Sequence, residues 1–303
     1  MRNDHDGVRT VRRQGGGSGG RAPSAGTVQV IVVIPHREST IVSRFLPHSR
    51  ALRAFLVAAI LAGIASRATC QTDEIQVYDG SIAAVHEFGL TLHTNYVIQG
   101  TTAPAFPGAV TADHSLNGAA EFAYGAADWF EAGLYFPVWT ADASTGLGYD
   151  GMKLRALFVA PHGDARRFAY GVNFEFSINQ PRWDPARYTG EARFILAWHF
   201  TGWDLILNPI FDTRFDGLAA LDFAPCARID WNASTRWSFA LEQYSDFGTL
   251  RDLAPWDQQV HQLFAVADRH WTHWDAEFGV GYGLTGVSDP WVVKLILSTV
   301  LTR

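Results

Sequence analysis

Charged side chains recur two residues apart through much of this sequence. Lys153 and Arg155, Glu191 and Arg193, Arg228 and Asp230, and Asp275 and Glu277 all keep that spacing. Residues two apart share one face of an extended strand. Such rows do electrostatic chemistry: they pair with opposite charges, hold water, or sort charged solutes. Three other groupings carry residue types used in catalysis or binding. Gly281-Tyr-Gly283-Leu-Thr-Gly286 matches the glycine fingerprint of dinucleotide sites as text. That fingerprint needs a strand before it and a helix after it. Here Asp289-Pro290 follows and the pattern is that of a strand, so Gly279, Gly281 and Gly283 are read as clearing space on an inner face. His270 and His273 form H-x-x-H in a turn, and two ligands are too few for a specific metal site. His114 and Ser115 are adjacent, so on a strand they face opposite sides, whereas a nucleophile needs its base within about 3 Å. No catalytic residue, metal or cofactor is assigned.

The elements that must position the charged rows are strands. Phe88–Ile98 sets Phe88, Leu90, Leu92, Thr94, Tyr96 and Ile98 on one face, and Gly89, Thr91, His93 and Asn95 on the other. Period-two alternation of this kind marks a strand with one apolar and one polar face. It recurs at Leu116–Tyr124, Phe130–Thr140, Met152–Ala160, Phe168–Ile178, Glu191–Phe200, Trp203–Asp212, Leu221–Trp231, Arg236–Tyr244, Trp274–Leu284 and Trp291–Leu301. His261–Asp268 is a further strand of ambiguous phase. The phasing points inward the acids Glu121, Glu131, Glu175, Glu191, Asp204, Asp212, Asp222, Asp230, Glu242, Asp275 and Glu277. It points inward the bases Lys153, Arg155, Arg193, Arg228, Arg236 and Lys294. The strands of Glu175 and Glu277 carry no inward base, so these two acids are expected to lack a basic neighbour.

A secreted β-sandwich would alternate in the same way. Three features favour an antiparallel up-and-down transmembrane β-barrel of about 12 strands. The strands are long enough to cross the hydrocarbon, which takes about 9–11 tilted residues. Short links such as Gly125–Asp128, Thr201–Gly202 and Asn232–Thr235 mostly alternate with longer ones such as Gln99–Ser115, Ala141–Asp150, Gln180–Tyr188 and Ser245–Asp257. Short periplasmic turns and longer extracellular loops are the outer-membrane pattern. Trp129, Trp198, Trp203, Trp231, Trp237, Trp271 and Trp274 all sit beside short turns, as an interfacial aromatic girdle requires. Pro137, Pro209 and Pro225 conflict with regular ladders, and the last two are read as a bulged corner.

The chain has 303 residues, 48% hydrophobic and 18% charged, against about 25% charged in ordinary soluble domains. This balance excludes a disordered or nucleic-acid-binding chain. Residues 1–70 hold 10 Lys+Arg and 3 Asp+Glu, leaving 14 and 27 for residues 71–303. Residues 1–41 read as disordered and as an over-extended start. Residues 42–70 combine Arg44, Arg50 and Arg53, the apolar run Ala54–Ala65, and small residues at Ser66 and Ala68. That is a cleaved secretory signal peptide, since a helix needs about 20 apolar residues to span a bilayer. Residues 71–86 are expected to form a periplasmic tail, and residues 87–303 the barrel. Cys70 and Cys226 make no disulfide framework.

The signal peptide, the hairpin Phe122-Ala-Tyr-Gly-Ala-Ala-Asp-Trp-Phe-Glu-Ala-Gly-Leu134 and the C-terminal strand resemble proteobacterial outer-membrane β-barrel proteins. They are most similar to the group related to the phenol meta-pathway transporter-like barrels, over roughly residues 72–303. Such chains often end in an aromatic residue, whereas this one ends Leu301-Thr302-Arg303. The resemblance implies passage of small molecules and carries over no functional residue. Asp73-Glu-Ile-Gln-Val-Tyr78 resembles the short box of TonB-dependent receptors, but the large plug of those receptors has no room before the first strand. His114-Ser115 is similar to the pair in outer-membrane phospholipases, which stands two apart rather than adjacent.

Twelve strands spaced about 4.8 Å and tilted about 40° give a backbone diameter of roughly 24 Å. The expected function is passive passage of small solutes, favouring cations because inward acids outnumber inward bases. The alternatives are a sealed structural barrel and a membrane-embedded lipid hydrolase. The expected partners are outer-membrane lipid, the barrel-assembly machinery and an unidentified small solute, with no nucleic acid.

Overall fold

The computed structural model describes residues 74–163 and 166–302. Twelve antiparallel strands run up and down in chain order. They are β1 (Phe88–Gln99), β2 (Leu116–Ala127), β3 (Phe130–Asp142), β4 (Gly146–Val159), β5 (Phe168–Asn179) and β6 (Tyr188–Phe200). Then come β7 (Trp203–Asn208 and Ile210–Thr213), β8 (Asp222–Phe223 and Cys226–Trp231), β9 (Trp237–Asp246), β10 (Val260–His270), β11 (Trp274–Gly283) and β12 (Trp291–Thr302). The sheet closes where β1 pairs with β12, from Phe88↔Thr302 to Gln99↔Trp291. Closure pairs the first and last strands of the barrel, as a sheet in lipid requires.

The period-two pattern becomes a sidedness. On β1, Leu92, Tyr96 and Ile98 are exposed outward, while His93, Asn95 and Val97 are buried inside. Leu154, Phe174, Phe194, Ile229, Leu241, Phe278 and Leu295 continue the outward apolar band. β10 explains its ambiguous phase: Phe264 and Val266 are buried inside with Asp268, while Leu263 and Ala265 point out, so both faces are apolar. Of the seven Trp beside short turns, all but the half-buried Trp198 are exposed. Trp203 stacks on Trp231, and the Arg269 guanidinium lies over Trp237 and Trp271. A second outward aromatic set, Tyr96, Tyr149, Tyr188, Tyr282 and Trp291, marks the opposite rim.

Three expectations need correction. The link Ala141–Asp150 is no long loop, because β3 and β4 continue to a tight turn. Asp142 makes that turn by accepting from the backbone N–H groups of Ser144 and Thr145, a side-chain mimic of backbone turn bonding. Pro209 and Pro225 do not merely bulge β7 and β8 but divide each into two pieces, as the missing N–H requires. Their carbonyls still accept, from Phe194 and Ser245.

The third correction concerns the expected periplasmic tail. Residues 74–82 lie inside the barrel, with Glu74, Ile75, Val77 and Tyr78 buried. Ile75 and Val77 pack in a cluster with Ile206, Cys226, Phe264 and Val292. Tyr78 packs with Leu157 and Ile195. The segments 1–41 and 42–70 lie outside the described residues.

Candidate functional site: the charged lumen

The barrel interior holds three groups of charge. The first spans β8 to β12. Arg228 and Glu242 are register partners, as are Asp268 and Glu277. A guanidinium offers five N–H donors in a planar fork. Arg228 uses them on Asp230 at 2.8 Å, Glu242 at 2.7 Å, Glu277 at 2.8 Å, and Asp268. The Lys294 ammonium lies between Glu242 and Glu277, 2.5 Å from each. The glycine run of β11 makes room for this group. A Cβ on Gly279 would stand 2.8 Å from Lys294 Cε, and one on Gly281 only 2.4 Å from the Phe264 ring.

The second group spans β1 to β4. Arg155 bridges Glu121 at 2.6 Å and Glu131. His93 Nε2 lies 2.9 Å from Glu121.

The third group spans β5 to β8 and is different in kind. Glu175, Glu191, Asp212 and Asp222 are successive register partners on four adjacent strands. Like charges directly opposite are destabilising unless something intervenes. Lys153 reaches Glu175 at 3.6 Å, and Arg193 reaches Glu191 at 2.8 Å and Glu74 at 3.7 Å. Asp212 and Asp222 have no ion pair within 4 Å among the described residues. This ladder faces a cavity of about 100 Å³ on the long-loop side of the segment 74–82. Seven acids line it (Glu74, Glu175, Asp184, Glu191, Asp212, Asp222, Asp246), against three bases, Lys153, Arg193 and Arg214.

The structure brings most of the sequence-derived inward residues together. Glu121, Glu131, Lys153, Arg155, Glu175, Arg193, Arg228, Asp230, Glu242 and Lys294 are buried inside, and Glu191, Asp212, Asp222 and Glu277 partly so. Others sit at the short-turn rim. Asp204 bonds His199 and Asn232, exposed Asp275 bonds His270, and Arg236 is exposed in a turn. The expected lack of a base beside Glu175 and Glu277 is corrected. Lys153 comes from the next strand, and Arg228 and Lys294 come from β8 and β12. Long cationic side chains reach across a narrow barrel, so counting bases on an acid's own strand misjudges its neighbours. Of the sequence-derived inward acids, those left without an ion pair among the described residues are Asp212 and Asp222.

Sequence reasoning missed Glu74 and Asp268. It also missed a chain of hydrogen bonds in which Gln243 donates to Ser245, and Ser245 Oγ lies 2.8 Å from His261 Nδ1. His261 Nε2 lies 2.9 Å from Gln259 Oε1, and Trp256 stacks on the imidazole. These contacts hold the loop before β10 against the wall. His114 is exposed with positive φ, whereas Ser115 is buried and accepts from Asn117.

No protein-family model matches the sequence, and no curated protein is similar to it in sequence. Among solved structures, an outer-membrane channel from Pseudomonas putida F1 superposes with a TM-score of 0.53 at 12% identity, covering 75% of this chain and 100% of that one. The NanC porin gives 0.48 at 8% identity, covering 69% and 98%. The fold is that of an outer-membrane β-barrel.

Proposed function

We propose that this protein is an outer-membrane channel for passive passage of small hydrophilic solutes, with a preference for cations. The observation that carries the reading is the acid-lined cavity beside the carboxylate ladder, inside a barrel whose outer surface is an apolar band between two aromatic rims. A barrel serving only as a structural element has no use for an acid-lined cavity, and opposed like charges cost stability. The fold likeness to the Pseudomonas putida channel supports the reading. So does the charge of the cavity, because a low-dielectric wall focuses the field of a few uncompensated carboxylates. Outer-membrane lipid meets the apolar band, the barrel-assembly machinery inserts it, and no enzymatic step is assigned.

Bilayer conductance of refolded protein tests this reading, with liposome swelling in small sugars as a second readout. Conductance steps together with swelling are expected. A heat-modifiable, β-rich barrel that neither conducts nor swells liposomes, whether residues 74–83 are present or deleted, would instead be a sealed structural barrel.

A further inference from the structure

The segment inside the lumen is bonded in an unusual way. Above His86 it makes no backbone-to-backbone hydrogen bond to the barrel wall among the described residues. Side chains of the wall hold it instead. Lys294 donates to the Ile75 carbonyl, Arg193 to the Gln76 carbonyl, and Asn208 to the Tyr78 carbonyl. Asn208 Oδ1 accepts from the Tyr78 N–H at 2.7 Å, and Glu131 accepts from the Ala83 N–H. The Tyr78 ring lies 4.4 Å from the Arg193 guanidinium and 5.7 Å from that of Arg155, with its hydroxyl 2.7 Å from that of Tyr135. These wall groups are buried and come from β3, β4, β6, β7 and β12. They match an extended peptide residue by residue: three donors for three carbonyls, and a cationic cleft for one ring.

Below this seat the chain is tied to the wall by backbone. His86 N–H donates to the Gly125 carbonyl, Gly125 N–H to Glu87, and Glu87 N–H to Ala84. His86 has a φ of 70°, and a Cβ on Gly125 would stand 2.1 Å from the Ala84 carbonyl. A fixed anchor at 84–87 therefore leads into a stretch held only by side-chain bonds.

We propose that residues 74–83 are the channel's own tethered blocker, and that its seat is a binding site for a short extended peptide ending in a tyrosine. The inference rests on the channel reading above, and it regulates that same lumen. With the segment seated, the lumen is filled between the first and second charged groups. With the segment out, the seat's donors face water and the path is continuous with the acid-lined cavity.

Cys226 supplies a reporter. Its thiol lies 3.6 Å from Asn208 Oδ1, the atom that accepts from Tyr78, and it is buried beside the segment. The experiment uses a Cys70→Ser chain, which leaves Cys226 as the one remaining thiol of two. Three proteins are compared: this chain, the same chain lacking residues 74–83, and the full-length chain with Tyr78→Ala. The deletion is expected to raise conductance several-fold and to make Cys226 reactive to a small methanethiosulfonate, with Tyr78→Ala intermediate. A free peptide Glu-Ile-Gln-Val-Tyr should then restore the block and protect Cys226, and a scrambled peptide should do neither. If the deletion fails to fold, the Tyr78→Ala chain carries the same test, with the same peptide. Equal conductance and an unreactive Cys226 in a folded heat-modifiable variant would overturn the blocker while leaving the channel standing. Opening without any effect of the peptide would overturn the seat. Absence of conductance in all three would overturn both readings.

Discussion

The wall of β8–β12 and the wall of β5–β8 are both crowded with charge, yet they solve the problem differently. On the first, Arg228 and Lys294 divide four carboxylates between them, and each of the four has an ion pair. On the second, four acids stand in line, and Asp212 and Asp222 beside the cavity lack an ion pair among the described residues. A network in which every acid is ion-paired fills space and fixes register, whereas unpaired acids keep water and field available. The difference separates the part of the interior that holds the barrel together from the part that faces solute.

The largest expected effect comes from breaking the satisfied wall. Arg228→Met leaves its carboxylates buried with one cation fewer, and removing one partner of a buried network costs about 3–5 kcal/mol. Urea unfolding in detergent should show a loss of that order. A loss under about 1 kcal/mol would mean that water already solvates this wall. A charge added on the outer face gives the next effect. Leu295→Arg, on exposed lipid-facing β12, should cost about 2–4 kcal/mol. Ser298→Arg, beside Thr91 on the inner face, should cost clearly less. Equal costs would refute the assigned sidedness of β12. The smallest effect should have the opposite sign. Asp212→Asn with Asp222→Asn relieves opposed like charges and should be neutral or stabilising by about 0.2–1 kcal/mol. Destabilisation beyond that would show that these carboxylates are held by the wall.

The sidedness of the strands was legible in the sequence because alternation is a local property. Phe88–Ile98 and Met152–Ala160 could be phased residue by residue, and Glu121, Arg155 and Arg228 followed at once. What failed was non-local. The partners of Glu175 and Glu277 stand on other strands, so no scan of their own strands could find them. The segment 74–83 has no periodicity at all, since its contacts are single side-chain bonds rather than a ladder. β10 stayed ambiguous because Phe264 and Val266 pack against that segment, which places apolar side chains on an inner face. The β3–β4 hairpin was hidden by Gly146, Gly148 and Gly151, which interrupt the alternation without ending the strands.

The reversal potential across an asymmetric KCl gradient tests the central claim most directly. It is measured on the full chain and on the chain lacking residues 74–83, each with and without Asp212→Asn and Asp222→Asn. Cation preference is expected in both backgrounds, reduced by the paired substitution. It should also fall with salt, as the Debye length shrinks from about 10 Å at 0.1 M to about 3 Å at 1 M. Anion preference, or a cation preference untouched by losing both carboxylates, would contradict the assignment of the carboxylate ladder as the selective surface of the lumen.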